Sequence, residues 1–400
     1  MLTLSHLKTL DLARWLLISL SITILFSPFL SNVIEISLLG LFIFNQELRS
    51  RLANIKKQPL AIGAGAFILM LIIGCFYSMA DFKETLRSLW GWRKILLLPI
   101  ALSLFADHVW KDRFIKVSLG FIFLCSLLSI TSFIWQFEVY RFAPGIVIRN
   151  YATQGMVFAV AIFSIVMGFI YQKKFKVQHE WPHIFYMISL LIALIFMTPG
   201  RSGYLVLIVL SIYFCYRTIT YKKNYWAALF VCFLIPSLFL NSSIVKDRIN
   251  LGINEISNVS AAYEKETSMG SRIIAWKNAI ELIKEHPLLG VGTGGYEPAF
   301  LDHVKDQKDQ ENFLHHDPHN QFLKILAELG SIGFLIFIAF LASTLLQKLK
   351  PFYFHLGLGV LIAWCSTSLF SSHFSTFTEG RFIYIWLGIM LASESNKMQR

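Results

Sequence analysis

The feature that most constrains this chain is a series of long stretches that contain no charged residue. The stretch from Trp15 to Ile34 runs for 20 residues without one, and the 400-residue chain is 56% hydrophobic and 15% charged. Soluble domains average roughly 45–50% apolar and about 25% charged residues. A helix needs about 20 mostly apolar residues to cross a bilayer. The pattern therefore excludes a soluble globule and predicts an all-α polytopic membrane protein.

Charged clusters divide the chain into twelve candidate membrane helices. If the N-terminus is cytoplasmic, 19 of the 36 Lys and Arg residues lie in inside segments, and the short outside loops hold eight. Positive charge collects on the cytoplasmic side of membrane proteins, so we expect about 12 transmembrane helices with both ends inside. The uncharged stretches are 15–34, 36–46, 58–80, 95–106, 117–137, 150–172, 181–200, 202–216, 224–245, 329–347, 351–378 and 382–393.

One outside segment of this single membrane domain (1–400) is long. It covers residues 241–318, between the ninth and tenth helices, and forms a large loop on the outer face. Within it, apolar residues at spacings of three and four predict an amphipathic helix over 271–285 with Ser271 as its N-cap. The His-Pro pair at 286–287 should end that helix. Its predicted apolar face is formed by Ile273, Trp276, Ile280 and Ile283.

The segment Gly290–Gly295 matches the spacing GxGxxG of dinucleotide-binding loops. Such a loop binds nucleotide only between a strand and a helix, and here a predicted helix precedes it. We interpret it instead as a turn that brings the backbone close to a partner, with a phosphate as one possible partner.

A second motif, at 315–320, combines histidines with an aspartate. His315, His316, Asp317 and His319 are ligand types that zinc accepts, but helix capping is the simpler interpretation. Asp317 is predicted as N-cap and Pro318 as first residue of the tenth span. His319 and Asn320 would then occupy its first turn, where the helix dipole keeps an imidazole neutral and able to accept a proton.

Several arginines are predicted at the outer face. Arg201 lies in a very short turn at the membrane boundary, where it either snorkels to the interface or binds an anion. Arg149, Arg272 and Arg381 fall on the same side, as anchors or as ligands. The forked guanidinium suits phosphate oxygens, so the implied ligand is anionic and carries a lipid tail.

These residues resemble the motifs of the O-antigen ligase and polymerase superfamily. The resemblance is carried by the helix start from Pro318 to Gly333, by the loop segments Gly270–Trp276 and His286–Tyr296, and by Arg201 in its turn. It implies a glycosyltransferase of the bacterial inner membrane with its active site facing the periplasm. The implied donor is a glycan on undecaprenyl diphosphate, and the ligase acceptor is a sugar hydroxyl of the lipid A core, within lipopolysaccharide biosynthesis.

The resemblance implies catalytic roles for Arg201, Arg272 and His319. From their predicted places at the outer face we expect Arg149, Asn320 and Arg381 to contact the substrate. Positive groups at the membrane surface can stabilise a diphosphate leaving group, so we expect no metal and no cofactor. His319 is either the general base or the residue that orients the acceptor.

Other activities stay open. O-antigen polymerases and O-linked protein oligosaccharyltransferases share the motifs, and the chain's length and its end at Arg400 favour the ligase. A lipid-linked oligosaccharide flippase is a non-enzyme alternative, disfavoured because such transporters commonly contain repeats and midplane charges. The partners expected are membrane lipid, donor and acceptor, and no nucleic acid.

Overall fold

The computed structural model describes residues 2–139, 143–171, 181–257, 270–304 and 317–393. Throughout these ranges the regular secondary structure is helical. The first eight α-helices are α1 (Leu2–Thr23), α2 (Pro28–Phe44), α3 (Gln46–Asn54), α4 (Pro59–Cys75), α5 (Phe82–Gly91), α6 (Leu97–Leu104), α7 (His108–Ile134) and α8 (Tyr151–Tyr171). They are followed by α9 (Trp181–Phe196), α10 (Arg201–Arg217), α11 (Tyr225–Asn241), α12 (Ser243–Ser257), α13 (Gly270–Glu285), α14 (Tyr296–Val304), α15 (Gln321–Ala342), α16 (Pro351–Thr367) and α17 (Phe377–Leu391).

A helix overlaps each of the twelve predicted stretches, but the helices differ in their capacity to cross a membrane. Four helical segments in the described residues are long and apolar enough to cross on their own. Two bent pairs, α2 with α3 and the 3-10 turn after it, and α11 with α12, raise that number to six if each pair is one span. The helices α4, α9 and α16 are apolar but shorter. The chain is therefore a polytopic helical membrane protein, and twelve spans stays a prediction.

The predicted boundary at Glu35 is wrong. The chain breaks earlier, where Ser27 accepts a hydrogen bond from the backbone N–H of Leu30 and Pro28 starts α2. Glu35 lies inside that helix with 3% of its surface exposed. Its charge does not end the helix because Arg93 and Arg381 pair with its two carboxylate oxygens.

The helix α13 confirms the predicted helix after residue 270 and its end before His286, but Ser271 lies inside the helix rather than at its cap. The predicted face is also rotated, because Ile280 is 43% exposed. The buried side chains form the adjacent stripe, from which Ala279 and Leu282 pack in one apolar cluster with Ala327 of α15. The buried stripe consists of Ile274, Ala275, Asn278, Ala279 and Leu282.

The glycine-rich loop supports a break in α15. Gly330 has φ 63° and ψ −169°, which interrupts the helix and frees backbone carbonyl groups. The N–H groups of Val291 and Gly292 donate to the carbonyls of Ala327 and Glu328, at 2.9 and 2.8 Å. A Cβ atom at Gly292 would lie 2.2 Å from the Cα atom of Ser78, just after α4, and 2.8 Å from the carbonyl oxygen of Gly74 within α4. The GxGxxG segment thus packs backbone on backbone, and these two donors serve protein carbonyls.

Candidate active site

The start of α15 differs from the prediction and sets the geometry of the site. Asn320 is the N-cap, and its Oδ1 accepts hydrogen bonds from the N–H groups of Phe322 and Leu323. The helix begins at Gln321, so Asp317 is not its cap and His319 is not in its first turn. His319 has φ 51°, in the left-handed region that non-glycine residues rarely adopt. Because of this turn, His319 lies outside α15, directly before its N-cap.

Asp317 instead anchors the turn that carries His319. Its Oδ1 accepts the backbone N–H of His319 at 2.8 Å and the hydroxyl of Ser372 at 2.6 Å. Its Oδ2 accepts a hydrogen bond from Lys324 Nζ at 2.8 Å. Burial acts to raise the pKa of Asp317, but these three donors together hold it below its usual value. The carboxylate therefore stays ionised, and its hydrogen bonds connect the turn at His319 with Ser372 and Lys324.

His319 is half-buried beside this carboxylate. Burial lowers the pKa of its imidazole, Asp317 opposes that effect, and Arg272 and Lys324 lower the pKa further. Together these effects lower the pKa of His319 from its usual value of 6.5, so the imidazole is neutral at about pH 7 and can accept a proton. The sequence predicted a neutral histidine from the helix dipole, whereas the structure attributes neutrality mainly to burial.

Arg201 and Arg272 come together although 70 residues separate them in the sequence. Arg201 is the first residue of α10, in the predicted short turn, and its Nη1 and Nη2 lie 3.3 and 3.4 Å from one oxygen of Glu255. Burial and then repulsion by Arg201 lower the pKa of Arg272, while Tyr151 and Glu255 oppose this. The two guanidinium groups thus repel each other, and Glu255 acts favourably on both. An anion bound between two like charges would lower this repulsion.

Electrostatic interactions connect the arginine pair with the histidine. Arg272 acts on the pKa of His319, and Arg201 acts on that of Arg272. The structure therefore brings the three predicted catalytic residues, from α10, α13 and the start of α15, to one end of the helix bundle.

Arg381 and Arg149 form a separate group around Phe377. Arg381 is 1% exposed, and it donates to Glu35 Oε2 at 2.7 Å, to Asn32 Oδ1 at 3.2 Å and to the Phe377 carbonyl at 3.2 Å. Arg149 Nη1 lies 3.4 Å from Thr378 Oγ1, and both guanidinium groups lie over the Phe377 ring. A substrate anion at Arg381 would compete with Glu35. Among the described residues, Arg149 contacts the Thr378 hydroxyl and the Phe377 ring, which are neutral groups.

Sequence reasoning missed Lys324, Glu255 and His373. Lys324 follows Asn320 by four residues in an otherwise apolar helix, which was a usable signal that it pairs with a nearby carboxylate. Glu255 lies in the long loop with no pattern to mark it. His373 lies in the connection before α17, 5% exposed and beside the same charged groups.

In the described residues no three His, Cys, Asp or Glu side chains gather as ligands for a metal ion. His315 and His316 lie outside the described residues, so the hypothesis of a zinc site formed by residues 315–319 is not tested.

An apolar cavity of about 200 Å³ lies between α8, α9, α10 and α11, the helix group that presents Arg201 at its end. Phe163, Leu207 and Leu234 are among its lining residues.

Comparison with known proteins shows one family to which part of the chain is similar. Residues 185–338 match the family model described as O-Antigen ligase. The matched range contains Arg201, Glu255, Arg272, Asp317 and His319. A protein of Haemophilus influenzae that carries only the description "Uncharacterized protein" is 26% identical over 175 residues. That alignment covers 42% of this chain and 43% of the relative, so the chain spans less than half of its length.

Proposed function

We propose that this chain is a member of the O-antigen ligase and polymerase superfamily and transfers a glycan from undecaprenyl diphosphate to a sugar hydroxyl of the lipid A core. The reaction would take place at the periplasmic face of the bacterial inner membrane. The observation that carries the proposal is the convergence of Arg201, Arg272 and a neutral His319 at one end of an apolar helix bundle.

The arginine pair suits the donor. In the proposed reaction the bond between the anomeric carbon and the diphosphate oxygen breaks, and negative charge develops on the diphosphate. Arg201 and Arg272 are the groups that would bind this charge, because a guanidinium presents two parallel N–H donors to phosphate oxygens. Their repulsion around Glu255 would be relieved by the bound anion. The apolar cavity between α8 and α11 offers a place for part of an isoprenoid chain.

His319 suits the acceptor. The acceptor oxygen attacks the anomeric carbon, and its proton passes to the neutral imidazole as the new glycosidic bond forms. Asp317 accepts a hydrogen bond from the backbone N–H of His319 and pairs with Lys324 at 2.8 Å. The imidazole therefore lies near cations, and their charge disfavours its protonation. All charges invoked are supplied by side chains, and we propose that no metal takes part.

Arg149, Asn320 and Arg381 enter this proposal as secondary substrate contacts. Arg149 is the strongest of the three, because the Oδ1 atom of Asn320 caps α15 and Arg381 is buried against Glu35. Substrate binding by Arg381 would therefore require its contact with Glu35 to open.

The test is reconstitution of the purified chain with lipid-linked glycan and lipid A core, with the product resolved on a gel. Arg201→Lys keeps the charge but loses the fork, and we expect transfer to fall at least about tenfold. His319→Ala should lower turnover by roughly 10²–10⁴-fold. Arg87→Lys, an exposed arginine outside the site, is the matched control and should transfer normally.

The acceptor decides between the ligase and its relatives. Glycan on lipid A core supports the ligase, growth of the lipid-linked glycan itself would assign a polymerase, and glycan on protein would assign an oligosaccharyltransferase. Normal transfer by both His319→Ala and Arg201→Lys would overturn the proposed site.

A further inference from the structure

The connection between α16 and α17 packs against the start of α15. The N–H groups of Phe374 and Ser375 donate to Gln321 Oε1 at 3.1 and 3.2 Å. Ser372 donates to Asp317, the residue that anchors His319. His373 lies between these fixed neighbours, so its backbone is held at the edge of the proposed active site.

The imidazole of His373 is buried, and no described residue forms a hydrogen bond with it. It is 5% exposed, and neither Nδ1 nor Nε2 has a hydrogen-bond partner among the residues that the structure describes. A neutral imidazole carries one donor and one acceptor. Buried polar groups of this kind are nearly always paired, and an unpaired one requires an explanation such as a ligand or water.

Charged groups of the site act electrostatically on this ring. Burial lowers the pKa of His373, Glu379 opposes the effect, Arg272 lowers the pKa further and Asp317 opposes it. Glu379 comes from α17, Arg272 from α13 and Asp317 from the turn before α15. The carboxylate of Glu379 is itself held by the hydroxyl groups of Thr153 and Thr376. His373 is therefore within electrostatic range both of a fixed carboxylate and of the arginine that the proposed function assigns to the donor.

We propose that His373 binds the diphosphate of the lipid-linked donor, with one ring nitrogen donating a hydrogen bond to a phosphate oxygen held by Arg272. This inference rests on the proposed function. An anion favours protonation of a neighbouring imidazole, so the bound diphosphate would offset the effect of Arg272 and turn His373 into a stronger donor. An uncharged sugar hydroxyl would leave the repulsion between Arg272 and His373 unchanged, and for that reason the diphosphate is the ligand that the charges favour.

The experiment measures binding of undecaprenyl diphosphate without glycan to the purified full-length protein in detergent. His373→Ala should raise the Kd about 10- to 100-fold, because a hydrogen bond to a charged group is lost. His373→Gln keeps a donor and should recover part of the affinity. His303→Gln is the matched control, because His303 pairs with Glu281 and Glu285 on the loop helices and should leave the Kd unchanged.

Steady-state kinetics and the pH dependence of affinity distinguish a role of His373 in donor binding from a role in packing. Both His373 variants should raise the KM for donor more than they lower kcat. Wild-type affinity should fall as the pH rises through the pKa of His373 in the complex, and the part of this slope that belongs to His373 should vanish in His373→Gln.

The outcomes distinguish the two proposals. If the wild type fails to bind the diphosphate lipid, the proposed function fails and this inference falls with it. If the wild type binds, Arg272→Ala weakens binding and folded His373→Gln matches the wild type in Kd and pH slope, the inference alone is overturned. If neither His373 variant yields monodisperse protein, the ring serves packing, which also overturns the inference.

Discussion

Replacement of Asp317 by Asn separates the charge of this side chain from its shape. The amide oxygen can still accept hydrogen bonds from the His319 N–H and the Ser372 hydroxyl, at positions now 2.8 and 2.6 Å away. The ion pair with Lys324 at 2.8 Å is lost. Loss of one partner from a buried pair costs about 3–5 kcal/mol. The side chains of Lys324 and Asp317 are 17% and 26% exposed, so solvent screens part of this, and we expect about 2 kcal/mol.

The same substitution should move the pH dependence of transfer in a defined direction. His319 acts as a base in its neutral form, so activity is present above its pKa and is lost as the pH falls through it. Asp317 raises that pKa from its buried value. Asp317→Asn should therefore shift the acidic limb of the rate profile to lower pH, and activity at about pH 7 should fall less than tenfold. Asp317→Ala, which also releases the His319 backbone, should lower activity about 10²-fold, since small displacements of a catalytic group are that costly.

The assays are the apparent Tm in detergent and the pH–rate profile of reconstituted transfer. The double variant Asp317→Asn with Lys324→Met removes both charges and should be more stable than either single variant. Strictly additive losses of stability, or an acidic limb that stays in place or moves to higher pH in Asp317→Asn, would refute this account of how His319 is held.

Three further outcomes follow from the structure. Gly330→Ala places a Cβ 2.2 Å from the backbone of Leu288 at a positive φ, so it should lower the apparent Tm and the yield strongly, whereas Gly40→Ala, which meets no atom within 4 Å, should not. Transfer should survive EDTA, and loss of activity that zinc or magnesium restores would contradict the metal-free mechanism. In intact spheroplasts an impermeant thiol reagent should label Asp302→Cys and not Lys57→Cys, and the reverse pattern would overturn the predicted orientation.

The sequence predicted which parts of the chain are helical far better than where the helices begin. Apolar composition over about 20 residues leaves a chain few alternatives in a membrane, so a helix lies over every predicted stretch. Boundaries depend on single side chains, whose pairing is not visible in the sequence. Glu35 looked like an interruption because a lone carboxylate is costly in an apolar segment. Arg381 makes it tolerable from 346 positions away.

The error on α13 has a related cause. Spacing alone selected the large residues Trp276 and Ile280 as the buried face. The helix instead buries the stripe that contains Ile274, Ala275, Ala279 and Leu282, and of the predicted face Ile280 is exposed. At a membrane surface a bulky apolar residue can face outward, and periodicity then loses its power to identify the packed side.

A candidate site could be proposed from the sequence in part, because the proposed chemistry requires particular residue types. Arg201, Arg272 and His319 each stood out beside a helix end or in a short turn, and the structure places them at one end of the bundle. The carboxylates that pair with the arginines did not stand out in the sequence. These carboxylates determine which arginines are already neutralised within the protein. Glu35 holds Arg381 through a 2.7 Å contact inside the helices, and Glu255 holds Arg201 more loosely, at 3.3 Å. Arg381 is already neutralised by a close, buried carboxylate and gains little from a second anion. Arg201 and Arg272 repel each other, so an anion bound at both would lower their electrostatic energy more. For this reason we propose the Arg201 and Arg272 pair, rather than Arg381, as the place where a diphosphate would bind.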